Sequence, residues 1–367
     1  MKILLSLLFL TISTISQAQV KTPRSSKLAS VSEQIGITDV TITYSRPSVN
    51  GREGKIWGDL VPYGFFDYHY GTSKAAPWRA GANENTTIEF STDVTIENKP
   101  LPAGKYGFFI AMGPEKATLV FSKDNNAWGS FYYNPANDAL RIDVPVVQSP
   151  ASTEWLKYEF TSQTDTTATA VLEWEKKMIP FTIAIDIKKT QVEAYRKAFN
   201  SGAFYEFWQN MQQAADFCLV NDVNTEEALT WADRSINTYF GEANFRTLTT
   251  YAGLLDKVGR KKEADSLKKQ AFTKGNVQDL YYYGSNLIRM KKYKEAFDAF
   301  KYDYDKAPKE WMTNLGLAKG YAGMGEKTTA IRYADAAIQL AGNYKEAIAY
   351  IEKVKIAITE GKSLSTL

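Results

Sequence analysis

The 367-residue chain contains one cysteine, Cys218, and one histidine, His69. A lone cysteine closes no intrachain disulfide. One His beside one Cys is also too few for the usual zinc ligand sets, and any Ser-His-Asp or Cys-His centre would have to be built on His69. A phosphate-cradling Gly-rich loop with its Lys, a calcium-loop spacing and a cluster of metal ligands are all missing, so neither a cofactor nor a metal is expected. The net charge is only +3, with a slightly acidic front half and a slightly basic back half. That balance gives no sign of a nucleic-acid partner. Long apolar runs are absent too. The apolar stretch at residues 3–12 is about half of the roughly 20 residues a membrane span requires.

That stretch follows Lys2 and precedes Ser16-Gln17-Ala18 and then Gln19, the arrangement of a secretory signal peptide. Cleavage near Ala18 is expected, leaving a soluble periplasmic or extracellular protein; retention as an uncleaved anchor is the alternative. Export makes an unpaired thiol a liability. Cys218 lies in a helical stretch, residues 214–220, where a small buried hydrophobe is the plainer reading and a reactive thiol the other. The rest of the chain is too long for one small core and suits two domains, residues 19–187 and 188–367.

Residues 37–45 alternate, with Val40, Ile42 and Tyr44 on one face and Thr41, Thr43 and Ser45 on the other. This period of two marks a half-buried strand. Similar runs recur at residues 87–96, 105–111, 117–122 and 140–147, separated by turn residues such as Pro102-Ala103-Gly104 and Asp124-Asn125-Asn126. Three further runs, 154–161, 168–175 and 179–186, joined by residues 161–167 and Lys176-Lys177, read as an antiparallel meander. Short strands without helical interruption predict an antiparallel β-sandwich, with a partly closed barrel as the second choice.

Six segments in order, Tyr44-Ser45-Arg46-Pro47, Ile56-Trp57-Gly58, Leu60-Val61-Pro62-Tyr63-Gly64, Trp78-Arg79-Ala80-Gly81-Ala82-Asn83-Glu84, Leu101-Pro102-Ala103-Gly104-Lys105-Tyr106 and Trp128-Gly129-Ser130-Phe131, resemble the motif series of the DUF2911 family of exported bacterial proteins. The resemblance spans roughly residues 20–187 and implies a domain, not a reaction. Against the family pattern the chain carries an insertion at residues 65–77 that includes Phe65, Phe66, Tyr68, His69 and Tyr70. His69 therefore inherits no family role.

Trp78, Arg79, Asn83 and Glu84 form the densest cluster of able groups, with His69 nearby in sequence. Arg79 suits a carboxylate or phosphate, Glu84 a general base, and Trp78 a sugar or peptide face. The plainer reading is a turn in which Gly81 and Asn83 take positive φ while Arg79 and Glu84 pair across it. Asp59, Asp67, Glu84 and Asp93 are candidates for a carboxylate pair by proximity alone. Trp57, Trp78, Trp128, Tyr132 and Tyr133 would serve either glycan stacking or a sandwich core.

After residue 187 the period turns helical. Gly284, Ala296 and Phe300 recur 34 residues later as Ala318, Ala330 and Ala334, with small residues earlier at Ala252, Ala264 and Ala271. Tyr321 and Gly325 complete a pattern that resembles the tetratricopeptide repeat, a solenoid of α-α hairpins. Repeats are placed at residues 245–276, 277–310 and 311–344, with a diverged pair over 203–244 and a closing helix over 344–359. The first spacing is 32, and Lys268 stands where a packed residue is usual. The resemblance implies a groove lined by Arg246, Thr249, Asp256, Lys257, Gln278, Tyr281, Ser285, Arg289, Met312 and Lys319. Four bases to one acid make that lining positive, suited to an acidic or carboxylate-ended peptide held by Arg289 and Lys319, or else a solvated basic face. Two functions follow: a non-catalytic interaction or scaffold protein of the bacterial envelope, or a carbohydrate-binding protein or hydrolase centred near Trp78 to Glu84.

Overall fold

The computed structural model describes residues 22–202 and 207–366; the expected signal segment and the first residues of the diverged repeat lie outside them. The chain divides into two compact units between Thr190 and Gln191.

The first unit is two antiparallel sheets. Strands β1 (Lys27–Ile35), β2 (Thr38–Arg46), β3 (Thr86–Phe90), β6 (Gly104–Ala111), β7 (Lys116–Ser122) and β8 (Asp138–Pro145) form one sheet in the order β1-β2-β3-β6-β7-β8. Strands β5 (Lys99–Leu101), β4 (Val94–Ile96), β10 (Thr167–Ala184) and β9 (Val147–Gln163) form the other, in the order β5-β4-β10-β9. Ile42, Ile88, Phe108 and Phe121 of the larger sheet share one core with Ile96, Leu172, Trp174 and Phe181 of the smaller. Two open sheets face to face make a sandwich rather than a barrel. Each fully buried aromatic of that core contributes roughly 1.5–3 kcal/mol.

Four departures from the sequence reading have local causes. The run 87–96 is two strands, because the chain leaves one sheet after Phe90 and joins the other at Val94. β1 went unread because Leu28 on its exposed face and Glu33 on its inner face break the alternation; it pairs residue for residue with β2 as an edge strand, and its serines meet Thr43 and Thr41 at 3.3 and 2.8 Å. The expected three-strand meander is one long hairpin of β9 and β10. β10 buries Ala168, Ala170, Leu172 and Trp174, then switches phase to Lys177, Ile179, Phe181 and Ile183. A β-bulge at Glu175, whose φ is +53°, causes the switch. One extra residue reverses the facing of all that follow, so from sequence a bulge looks like two strands with a turn at Lys176-Lys177.

The fourth concerns the insertion. Phe109 and Val120 point away from the main core, yet are 1% and 0% exposed. Tyr68 and Ala76 of the insertion, with Tyr133, pack over them, and Tyr70 meets Phe131 edge to face at 5.1 Å. β6 and β7 are thus covered on both faces, which is why β6 shows no clean alternation.

In the helical part, α1 (Ile187–Asn200) is followed by hairpins α2 (Trp208–Asn221) with α3 (Thr225–Asn237), α4 (Phe245–Lys257) with α5 (Lys261–Lys274), α6 (Val277–Arg289) with α7 (Tyr293–Lys306) and α8 (Trp311–Gly323) with α9 (Lys327–Ala341), closed by α10 (Lys345–Glu360). Consecutive helices pack against each other from α2 to α5 and from α6 to α10, and Phe272 of α5 meets Tyr283 of α6 edge to face at 5.8 Å, as an α-α solenoid requires. Asn244 and Asn276, 32 residues apart, cap α4 and α6 through capping boxes with Thr247 and Asp279. The recurring small residues sit at helix contacts: a Cβ on Gly284 or Gly316 would lie 2.5 or 2.6 Å from the Phe300 ring. With these spacings Lys268 stands where Phe300 does in the next repeat, and Asp303 stands where Ala271 and Ala337 do.

Candidate functional site

In the β-sandwich the sequence-selected cluster is spent on structure. Trp78 is 7% exposed, donates from Nε1 to Gly81 O at 3.1 Å and stacks on Trp174, so it offers no face to a sugar. Arg79 and Glu84 do not pair with each other. Arg79 donates to Asn83 O at 2.8 Å and lies over the Phe131 ring at 5.0 Å. Glu84 bonds Arg24 at 2.7 Å; burial pulls its pKa up, but the Arg24 hydrogen bond prevails and holds it below the usual value. A carboxyl so held is a poor proton carrier near neutrality. Positive φ falls at Ala80 and Asn83 rather than at Gly81. Gly81 is needed for closeness instead: a Cβ there would lie 3.0 Å from Ser45 O. His69 is exposed on the insertion, its backbone N–H bonded to Asp67.

The aromatic residues divide. Trp57 lies in the core layer with Trp78 and Trp174 and donates to Glu175 at 3.1 Å. Tyr133 is buried, its hydroxyl donating to Asp138 at 2.6 Å; burial and that carboxylate push its pKa up. Trp128 and Tyr132 are about 60% exposed. Tyr132 and Tyr133 border a polar hollow of about 410 Å³ with Lys123, Asn126 and Ser130.

The larger concavity lies in the helical unit. A trough of about 700 Å³ runs across α2, α4 and α6, bordered by Lys268 of α5 and Glu295 of α7, and lined by Leu219, Val220, Phe245, Tyr282, Leu287 and Met290 among apolar groups. Val220, Tyr282 and Met290 are 75%, 54% and 64% exposed. Its charges balance: Arg246, Lys268, Arg289 and Lys292 face Asp216, Asp256, Asp279 and Glu295. The net positive lining expected from sequence, four bases to one acid, is therefore corrected, because three further acids, Asp216 of α2, Asp279 in the first turn of α6 and Glu295 of α7, join Asp256 there. Lys268, at the anomalous repeat position, bonds Asp256 at 3.0 Å and lies 3.6 Å from Glu295. Burial raises the pKa of Asp216, against the hydrogen bond from Thr250.

Of the sequence-selected groove residues, Arg246, Thr249, Asp256 and Arg289 line this trough. Lys257 turns away to Asp222 at 2.7 Å, Gln278 is exposed outside it, and Met312 packs into the core. Tyr281, Ser285 and Lys319 line a separate cavity of about 310 Å³, which Arg289 also borders. Exposed apolar residues at helical spacing, Tyr282 and Met290, were the signal that could have located the trough from sequence.

The architecture defines a β-sandwich domain joined to a tetratricopeptide-like helical array. Residues 26–183 match the family model described as "Protein of unknown function (DUF2911)", so the sandwich is a DUF2911 domain. The chain is also similar to three solved structures. The MamA protein is 12% identical with a TM-score of 0.29, covering 42% of this chain and 83% of its own. YrrB, titled a TPR protein with an unusual peptide-binding site, is 18% identical with a TM-score of 0.26, covering 47% and 88%. PilF of Pseudomonas aeruginosa is 17% identical with a TM-score of 0.27, covering 49% and 77%. No curated protein matches the chain.

Proposed function

We propose that this is an exported, non-catalytic interaction protein of the bacterial envelope, whose helical unit binds an extended segment of a partner protein in the trough across α2, α4 and α6. The exposed apolar floor of that trough carries the reading. Val220, Tyr282 and Met290 project side chains that a fold with no partner would bury or replace. Charges of both signs border them, which suits a polypeptide with its mixed side chains and polar backbone better than a lipid or a nucleic acid. Export rests on the pattern of Lys2, the apolar residues 3–12 and Ser16-Gln17-Ala18.

Panning a random peptide display library against the full chain tests the reading. Enriched peptides should lose at least tenfold in affinity against Met290→Asp and Val220→Asp, which put a charge on the apolar floor without touching a buried group. Peptides that bind these variants as well as the parent would refute the trough as the binding surface.

A further inference from the structure

The connection from β7 to β8, residues 123–137, is braced from several sides. Asn85, 6% exposed, clamps it: the side chain donates to Asp124 O at 3.3 Å and accepts from the Ala127 N–H at 2.9 Å. Asn125 donates to Lys105 O at 2.8 Å, and the Asp124 carboxylate accepts from Asn137 at 2.8 Å. These bonds fix the border of the polar hollow of about 410 Å³ in the β-sandwich unit, a size within the range of small-molecule sites, about 300–1,000 Å³. One polar group inside is left over. Ser130 lines the hollow at 2% exposure, and its hydroxyl has no hydrogen-bond partner among the described residues. A buried hydroxyl left unmatched is a cost to the fold and points to a partner supplied from outside.

The insertion builds the other half. Its Ser73 N–H donates to Phe131 O at 2.9 Å, and Gly71 passes so close that a Cβ would collide with the same oxygen. Phe131 is fixed in turn by the Arg79 guanidinium, 5.0 Å from its ring centre, and by an edge-to-face contact with Tyr68 at 5.8 Å. Beside this anchor stand Tyr70 and Tyr132, 62% and 60% exposed, with ring centres 6.4 Å apart and planes at 69°. Tyr132 also lines the hollow. Two exposed rings thus form a ledge next to a polar recess, and the contacts around Phe131 set the ledge before any ligand arrives.

These two surfaces select the ligand's chemistry. Among the described lining residues one base, Lys123, stands against one acid, Asp124, which disfavours a phosphate-rich or strongly anionic group. Asp124, Asn126 and Ser130 offer donors and acceptors together, a match for hydroxyls, each of which does both. A pyranose ring carries hydroxyls round its edge and C–H groups on its face, and such a face packs on an aromatic ring.

We propose that the ledge and recess bind a neutral saccharide. One pyranose lies on Tyr132 and Tyr70, and its hydroxyls bond Ser130 and Asn126. The site belongs to the first unit and does not rest on the trough. Trp78 and Glu84, where the sequence suggested a glycan site, take no part in it, because they are spent on Gly81 and Arg24.

Calorimetric titration of the full chain with the hexaoses of glucose, mannose, xylose, galactose and N-acetylglucosamine tests the proposal. At least one should bind, and Tyr132→Ala should weaken it at least tenfold and Tyr70→Ala severalfold. Ser130→Ala should weaken it severalfold without lowering the unfolding temperature, since it deletes an unmatched hydroxyl; a purely structural serine would move the temperature and not the affinity. Tyr239→Ala, which removes a tyrosine of the helical unit that is 93% exposed, should bind as the parent does. Absence of binding to every hexaose, an equal loss in Tyr239→Ala, or an affinity unchanged in both Tyr132→Ala and Ser130→Ala would overturn it.

Discussion

Asp303 is the least comfortable charge in the helical unit, and replacing it should stabilise the protein in a pH-dependent way. It sits on α7 at 1% exposure, and its Oδ2 has no hydrogen-bond partner. Burial, partly offset by Lys306, raises its pKa from 3.8 to about 7. The folded state therefore binds a proton that the unfolded state releases near pH 4. Stability contributed by that proton is fully present below about pH 4 and is lost as pH rises through about 7. With a tenfold change in proton affinity worth about 1.4 kcal/mol, the interval sets a ceiling of about 4 kcal/mol.

Asp303→Asn keeps the shape and cannot ionise. Asp303→Ala copies what the flanking repeats hold at this register, Ala271 and Ala337, both 0% exposed. Either variant should match the parent near pH 4 and exceed it by about 2–4 kcal/mol near pH 8. Urea unfolding followed by far-ultraviolet circular dichroism, which reports mainly on the helices, gives the comparison at each pH. A parent and variant whose difference stayed constant across that range would show that Asp303 does not titrate in the folded state, and the reasoning would fall.

Four further outcomes follow from contacts described above. Gly284→Ala should cost about 1–3 kcal/mol in the parent, because its Cβ meets the Phe300 ring, and nothing in a Phe300→Ala background; a double-mutant cycle by urea unfolding measures the difference. Glu175→Ala should cost about 1–3 kcal/mol by leaving Trp57 Nε1 without its acceptor, read as a lower unfolding midpoint in tryptophan fluorescence. Glu84→Gln removes a half-exposed ion pair with Arg24 and should shift stability by no more than about 1 kcal/mol; a larger loss would mean that Glu84 carries something beyond that pair. Cys218 is fully buried and burial raises its thiol pKa, so it should react with a thiol reagent only on unfolding, as a colorimetric thiol assay would record.

The helical unit was largely legible because its period survives in small residues: Gly284, Ala296, Ala318 and Ala330 stand where helices touch, and the expected repeats 245–276, 277–310 and 311–344 correspond to α4–α5, α6–α7 and α8–α9. The sandwich was legible strand by strand where one face is wet, as in β2. It was misread where tertiary packing cancels alternation, at β6 under the insertion, and where the bulge at Glu175 reverses it. The sites were the least legible. Carrying over groove positions gathered residues from the right helices, but it could not tell that Lys257 faces Asp222, that Lys319 is buried, or that Asp216 and Glu295 from other helices neutralise the trough. Those facts depend on which neighbour each side chain finds, and a repeat pattern does not carry that information.

The seating of Phe300 also bears on how such an array could grow. Its ring lies directly on the bare backbones of Gly284 and Gly316, one on each neighbouring helix. Gly284 belongs to the same hairpin as Phe300 and Gly316 to the first helix of the next, so the α6–α7 hairpin is keyed to the unit that follows it and cannot trade places with it. Lengthening this solenoid would require copying lock and key together.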